Sequence, residues 1–147
     1  MLLQKEMQAQ VKIPVITSSL LQLPGLLALH SKVGVLTIST SKLSVEHLRA
    51  AGVPRDRLAD VVVQGVDATS EFATTILGNR SEMDFKKAAA DVLAAAIALK
   101  RKEPTLTCVV LECTNMPPYR LAIEAATGMK TWALVDDERL IQPWLQT

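Results

Sequence analysis

Short apolar runs alternate with longer amphipathic stretches along the chain, the pattern of a mainly parallel sheet whose strands are joined by helices. The runs Ile13–Ile16, Val33–Ile38, Asp60–Val66, Thr107–Glu112 and Thr131–Val135 predict strands. Helices are predicted over Leu2–Gln10 and over Ser19–His30, the second broken or bent near Pro24. A third runs from Ser44 to Ala51, with Ser44 as its cap and Gly52 as its stop. Glu71–Leu77 is short and ends at Gly78-Asn79. Ser81 is the expected cap of a long helix Glu82–Lys102, with Asp84 three residues on as in a capping box and Pro104 beyond its end. Pro118–Ala126 follows and stops at Gly128. Asp136 or Asp137 caps a final helix to Leu145, bent by Pro143. The expected fold is a three-layer α/β domain, one mainly parallel sheet flanked by helices, with 1–147 as a single unit. No internal repeat or linker divides it.

Composition narrows the picture. Apolar residues are 49% of 147, enough for a folded core, and aromatics are only 3%, so Leu, Val, Ile and Ala must fill it. Net charge is +1, and the one basic cluster, Lys100-Arg101-Lys102, closes a helix where cations suit the macrodipole. That excludes an electrostatic footprint for nucleic acid. No apolar run reaches the ~20 residues of a membrane span. Met1-Leu2-Leu3 leads directly into Gln4, Lys5 and Glu6, which is not a signal peptide, so the expected location is the cytoplasm.

Chemistry concentrates around two cysteines. Along one extended strand Cys108 and Cys113 stand roughly 16 Å apart, too far for a disulfide. Their odd spacing sends them to opposite faces. With His30 and His47 remote in sequence there is no zinc spacing, and no Gly-rich phosphate loop is present. Cys113 lies where a parallel strand ends and a helix begins, the place where open α/β sheets bind ligands. Helix N–H groups there favour a thiolate, which suits a base or nucleophile. The plainer reading is a small apolar residue closing a strand. Thr114 and Asn115 offer donors for a carboxylate, or cap the following helix. Thr17, Ser18 and Ser19, and Thr37 at the next strand end, carry the same two readings. Glu112 directly precedes Cys113 and on a strand points the other way, so it is not the partner base. Cys108 reads as core, and His47 as an ordinary helix residue.

The stretch Glu112-Cys113-Thr114-Asn115-Met116-Pro117-Pro118-Tyr119 resembles the second cysteine motif of the aspartate/glutamate racemase superfamily. Ile13-Pro14-Val15-Ile16-Thr17-Ser18-Ser19-Leu20-Leu21-Gln22 and Lys32-Val33-Gly34-Val35-Leu36-Thr37, followed by Leu43-Ser44-Val45-Glu46-His47-Leu48, extend the resemblance in order along most of the chain. The resemblance implies a pseudo-symmetric architecture, with 33–126 as one racemase-like half and 1–30 and 131–147 as parts of the other. It implies that the helix at Leu2-Leu3-Gln4 follows a first catalytic cysteine that this chain lacks, as an N-terminally truncated member would. The implied function is a cofactor-independent racemase or isomerase of an amino acid or small carboxylic acid, with Cys113 as thiol acid/base and Thr114, Asn115, Thr17, Ser18, Ser19 and Thr37 binding substrate. Without the opposing thiol that activity should be impaired. The alternatives are a non-catalytic remnant or small-carboxylate binder, or a one-thiol lyase or decarboxylase. The implied partners are a small carboxylate or amino acid and a second copy of the chain. Leu2, Leu3 and Leu20–Leu29 would otherwise lack a cover.

Overall fold

Four segments pair into one parallel sheet in the order β2-β1-β3-β4. They are β1 (Val33–Thr37), β2 (Val61–Gly65), β3 (Cys108–Leu111) and β4 (Lys130–Trp132). In this computed structural model residues 3–141 are described. Val35 sits between Val63 of β2 and Val110 of β3, and β3 continues into β4 through Val109 beside Thr131. Parallel neighbours cannot be joined by a tight turn, so each connection carries a helix. α3 (Val45–Ala50) joins β1 to β2, α4 (Glu71–Leu77) and α5 (Phe85–Lys102) lead from β2 to β3, and α6 (Arg120–Thr127) joins β3 to β4. α1 (Gln4–Gln10) and α2 (Leu23–Leu29) precede the sheet, and α7 (Glu138–Ile141) follows it.

Strand side chains alternate between two helical layers, which makes the α/β fold expected from the sequence. Val33, Val35, Cys108 and Val110 lie under Leu23, Leu26 and Leu27 of α2 and Leu48 of α3. Leu36, Val109 and Leu111 lie under Val92, Ala96 and Leu99 of α5, with Phe72 and Ile123 beside them. Every residue of β1 is buried, as a strand covered on both faces must be. At Gly34 the sheet and α5 come so close that a Cβ would stand 2.9 Å from Leu99 Cδ2 and 3.3 Å from the Cys108 carbonyl oxygen.

Several expectations are corrected. Ile13–Ile16 joins no strand. Its backbone groups are taken by glutamine side chains of α1 in place of a neighbouring strand. The Val15 N–H donates to Gln8 Oε1 at 2.8 Å, the Thr17 N–H to Gln4 Oε1 at 3.1 Å, and Gln8 Nε2 donates to the Ile13 carbonyl at 3.0 Å. Pro24 does not break its helix. It sits in the first turn of α2, where a missing N–H costs nothing, after a separate 3-10 turn over Ser19–Gln22. The long helix starts at Phe85, and its cap is Asp84, whose carboxylate accepts the N–H groups of Lys86 and Lys87 at 3.1 Å each. Ser81 is not the cap, because the Glu71 carboxylate takes the Asp84 N–H at 3.0 Å and fixes the turn three residues later. Leu20, Leu23, Leu26 and Leu27 are buried, so the Leu20–Leu29 stretch is largely covered, and Leu29 is its one strongly exposed leucine. α7 is described only to Ile141, and the expected continuation to Leu145 with its bend at Pro143 lies outside the described residues. Among the described residues no helix is long and apolar enough to cross a membrane.

Candidate functional site

β1 and β3 are neighbours, but the chain leaves them in opposite directions, toward β2 and toward β4. Their carboxyl ends therefore open a crevice between diverging connections, as switch points in parallel sheets do. Thr37 ends β1, and Glu112 and Cys113 come directly after β3. The segment ahead of α2 closes a third side. Ser19 is buried, and its hydroxyl donates to the Leu111 carbonyl at 2.8 Å, which ties residues 17–19 to the end of β3.

The crevice has two lobes. One, of about 290 Å³, is lined by Thr17, Ser18, Ser19, Cys113 and Thr114. The other, of about 230 Å³, is lined by Leu20, Thr37, Lys42, Leu43 and His47. Ser18, Ile38 and Glu112 belong to both. The structure thus brings Thr17, Ser18, Ser19, Cys113 and Thr114 to one opening and puts Thr37 in the adjoining lobe. Asn115 is exposed at its edge, with Nδ2 3.9 Å from the Cys113 sulfur.

Many of the expected donors are already engaged within the protein. Thr17 donates its hydroxyl to Gln4 Oε1 at 2.7 Å, and Ser19 is tied to Leu111. The Ser18 hydroxyl oxygen accepts the Leu20 N–H at 3.2 Å as the cap of the 3-10 turn, which leaves its proton available. The Thr37 hydroxyl donates to Glu112 Oε2 at 2.9 Å. Thr114 and Asn115 remain exposed, and Asn115 has its amide turned toward the thiol.

The two thiols differ in setting. Cys108 belongs to the cluster under α2 and α3, is 1% exposed, and burial pushes its thiol up to about 11. Cys113 packs at the edge of the opposite cluster and is half-buried. Burial raises its thiol too, the Glu112 charge raises it further, and hydrogen bonds from Asn115 pull the other way. Activation by a helix N-terminus does not arise. The chain first makes a turn closed by the Met116 N–H on the Cys113 carbonyl at 3.0 Å, then a 3-10 turn over Pro117–Tyr119, and α6 begins only at Arg120.

Glu112 and His47, read from the sequence as facing away and as an ordinary helix residue, line the crevice, and so does Lys42. Strict alternation sends Glu112 away from Cys113, but β3 ends at Leu111, so the alternation does not extend to either residue. The Glu112 N–H still bonds the Leu36 carbonyl at 2.9 Å, while its side chain turns to Thr37. His47 accepts the Ser44 N–H on Nδ1 at 3.2 Å, which places the ring beside the start of α3 and not on its outer face. A charged residue at a strand's carboxyl end was the available signal for Glu112. Nothing local marked Lys42. Among the described residues no group of three or more His, Cys, Asp or Glu is arranged to hold a metal.

No family model matches the chain. It is similar to a dimethylsulfoniopropionate lyase of Durusdinium sp. clade D, 26% identical over 135 residues, which cover 88% of this chain and 44% of that protein. The chain spans less than half the length of the curated relative it matches. These comparisons overturn the resemblance to the aspartate/glutamate racemase superfamily, and with it the racemase, isomerase and truncated-member readings. The relative points to a different family. The physical reason is that Cys-Thr-Asn followed by prolines describes a strand end, a turn and a helix start. Such an arrangement opens a cleft in any sheet of this kind and does not select one reaction.

Proposed function

We propose that the chain serves lyase chemistry on a small carboxylate bearing a leaving group β to its carboxyl, with Cys113 as the base. The observation that carries this reading is one thiol sharing a small crevice with hydroxyl and amide donors and a carboxylate. The similarity to a dimethylsulfoniopropionate lyase supports it. Elimination suits a single thiol. The Cys113 thiolate takes the proton α to the carboxylate, the C–H electron pair becomes the new C=C bond, and the Cβ–S bond breaks with its electrons leaving on sulfur. From a dimethylsulfonio group the leaving molecule is neutral dimethyl sulfide, which needs no proton, and the product is acrylate. Inversion of a carbon needs a second acid on the opposite face, and elimination does not.

Ser18, Thr114 and Asn115 would hold the substrate carboxylate as its α-carbon gains negative character. The raised thiol is the cost of this arrangement, because the base must first lose its proton. A cationic substrate beside it shifts that balance toward thiolate. The test is incubation with dimethylsulfoniopropionate in sealed vials, with dimethyl sulfide measured in the headspace and acrylate in solution. Both products should appear in equal amounts, and Cys113→Ala should lower the rate by about 10²-fold or more, while Cys108→Ala leaves product formation in place. Absence of both products, or an equal rate from Cys113→Ala, sinks the reading.

A further inference from the structure

Between the two lobes stands Glu112, and its setting is not that of a residue placed for stability alone. Oε2 accepts the Thr37 hydroxyl at 2.9 Å, and among the described residues its other oxygen takes no hydrogen bond. Lys42 lines the same lobe, yet no ion pair joins it to Glu112 among the described residues. Of the residues lining either lobe, Glu112 is the one carboxylate. A carboxylate held by one hydrogen bond, facing a cleft and paired with no cation of the protein attracts a bound cation by Coulomb interaction. The walls around it add a second requirement. Ile38, Leu20 and Leu43 give the smaller lobe apolar surface, which suits methyl groups better than the strongly hydrated N–H groups of an ammonium.

We propose that Glu112 receives the positively charged, methylated end of an onium carboxylate, with the methyl groups against Ile38, Leu20 and Leu43 and the carboxylate end in the Cys113 lobe. The inference rests on the lyase reading for its orientation and names what that site selects. Thr37 is then a positioning residue that holds the Glu112 carboxylate at the shared wall. Glu112 touches the leaving group and the reacting centre does not pass through it. Its charge raises the Cys113 thiol, and a bound cation neutralises that charge. The groups facing the thiol are Glu112 and Asn115, with Lys42 and His47 in the next lobe.

Calorimetric binding of two isosteres tests this without relying on turnover: 3-(trimethylammonio)propionate, which carries the charge, and 4,4-dimethylpentanoate, which does not. The native chain should prefer the cationic ligand by about tenfold, as a partly screened Coulomb contact between opposite charges gives. Glu112→Gln should bring the ratio near one, Glu112→Asp should keep part of it, and Thr37→Val should reduce it less than Glu112→Gln. Glu112→Gln should also lower the pH midpoint of Cys113 alkylation by iodoacetamide. A ratio near one in the native chain, or one unchanged by Glu112→Gln, overturns the inference, and so does failure of the cationic ligand to bind. The lyase reading fails separately: a cation preference lost in Glu112→Gln, with no sulfide released from dimethylsulfoniopropionate, keeps this site and removes the reaction.

Discussion

At the scale of single residues, burial decides what each cysteine can do. Cys108 is shut under the helices α2 and α3, and burial pushes its thiol up to about 11 from an ordinary 9.0. The folded chain therefore holds this proton more tightly than the unfolded chain does. Stability is fully present below about pH 9 and falls as pH rises toward 11, by roughly 3 kcal/mol in all. Urea denaturation at pH 8, 9, 10 and 11 should show the native chain losing more stability across this range than Cys108→Ala. The variant should start lower, because it leaves a small cavity, and should run flatter. Parallel slopes would show that Cys108 does not titrate in the fold. Cys113 was readable as the chemically interesting thiol because it stands at a strand's end. Its protonation was not, because the turn that separates it from α6 and the nearness of Glu112 are matters of three-dimensional path.

At the scale of elements, caps and side-chain bridges correct what periodicity alone suggests. Ser81 and Asp84 both fit the start of a long helix in the sequence, and Asp84 has the role because Glu71 of α4 reaches its backbone N–H. Asp84→Ala should cost about 1 kcal/mol in chemical denaturation, as loss of an N-cap does. Ser81→Ala should change stability by less than about 0.5 kcal/mol, as exposed positions away from special features do. The reverse order would return the cap to Ser81. The stretch at Ile13–Ile16 teaches the same lesson for strands. Its apolar residues fit a strand pattern, yet a strand is defined by its partner, and here Gln4 and Gln8 of α1 fill that role. No sequence pattern distinguishes a backbone paired by glutamine amides from one paired by a strand.

At the scale of the whole molecule, two helical layers share one thin sheet, so the tightest point of the fold is where they press on it. Gly34 marks that point. A methyl group there meets Leu99 of α5 and the backbone oxygen of Cys108, and the second neighbour cannot move without disturbing the β1–β3 pairing. Gly34→Ala should lower stability by roughly 1–3 kcal/mol, the usual range for overpacking. Adding Leu99→Val should recover part of that loss, because the nearest atom belongs to the Leu99 side chain. Thermal unfolding of the two single variants and the double variant gives the coupling. Strict additivity would show that the contact does not limit the packing. The same layering makes the crevice, since helices on opposite faces force the chain to leave β1 and β3 in opposite directions.

By itself the sequence determined the fold class, four of the strands, most of the helices and the stretch that carries Cys113. Those features are local: apolar runs of strand length, Pro and Gly punctuation, and cap residues act within a few positions of one another. It also determined that Cys113 belongs at a strand's end, whereas the strand expected ahead of Thr17–Ser19 does not form. Only the tertiary structure decided that residues 17–19 are tied to the end of β3 by Ser19, across 92 positions of sequence. It also decided that Thr37 and Glu112, 75 apart, meet through a hydrogen bond, and that Lys42 and His47 share their lobe. These meetings depend on strand order and crossover direction, which residue spacing does not encode. The reaction class was illegible for a related reason. A cysteine at a switch point serves any chemistry that needs a thiol there, and its neighbours across the crevice set which one.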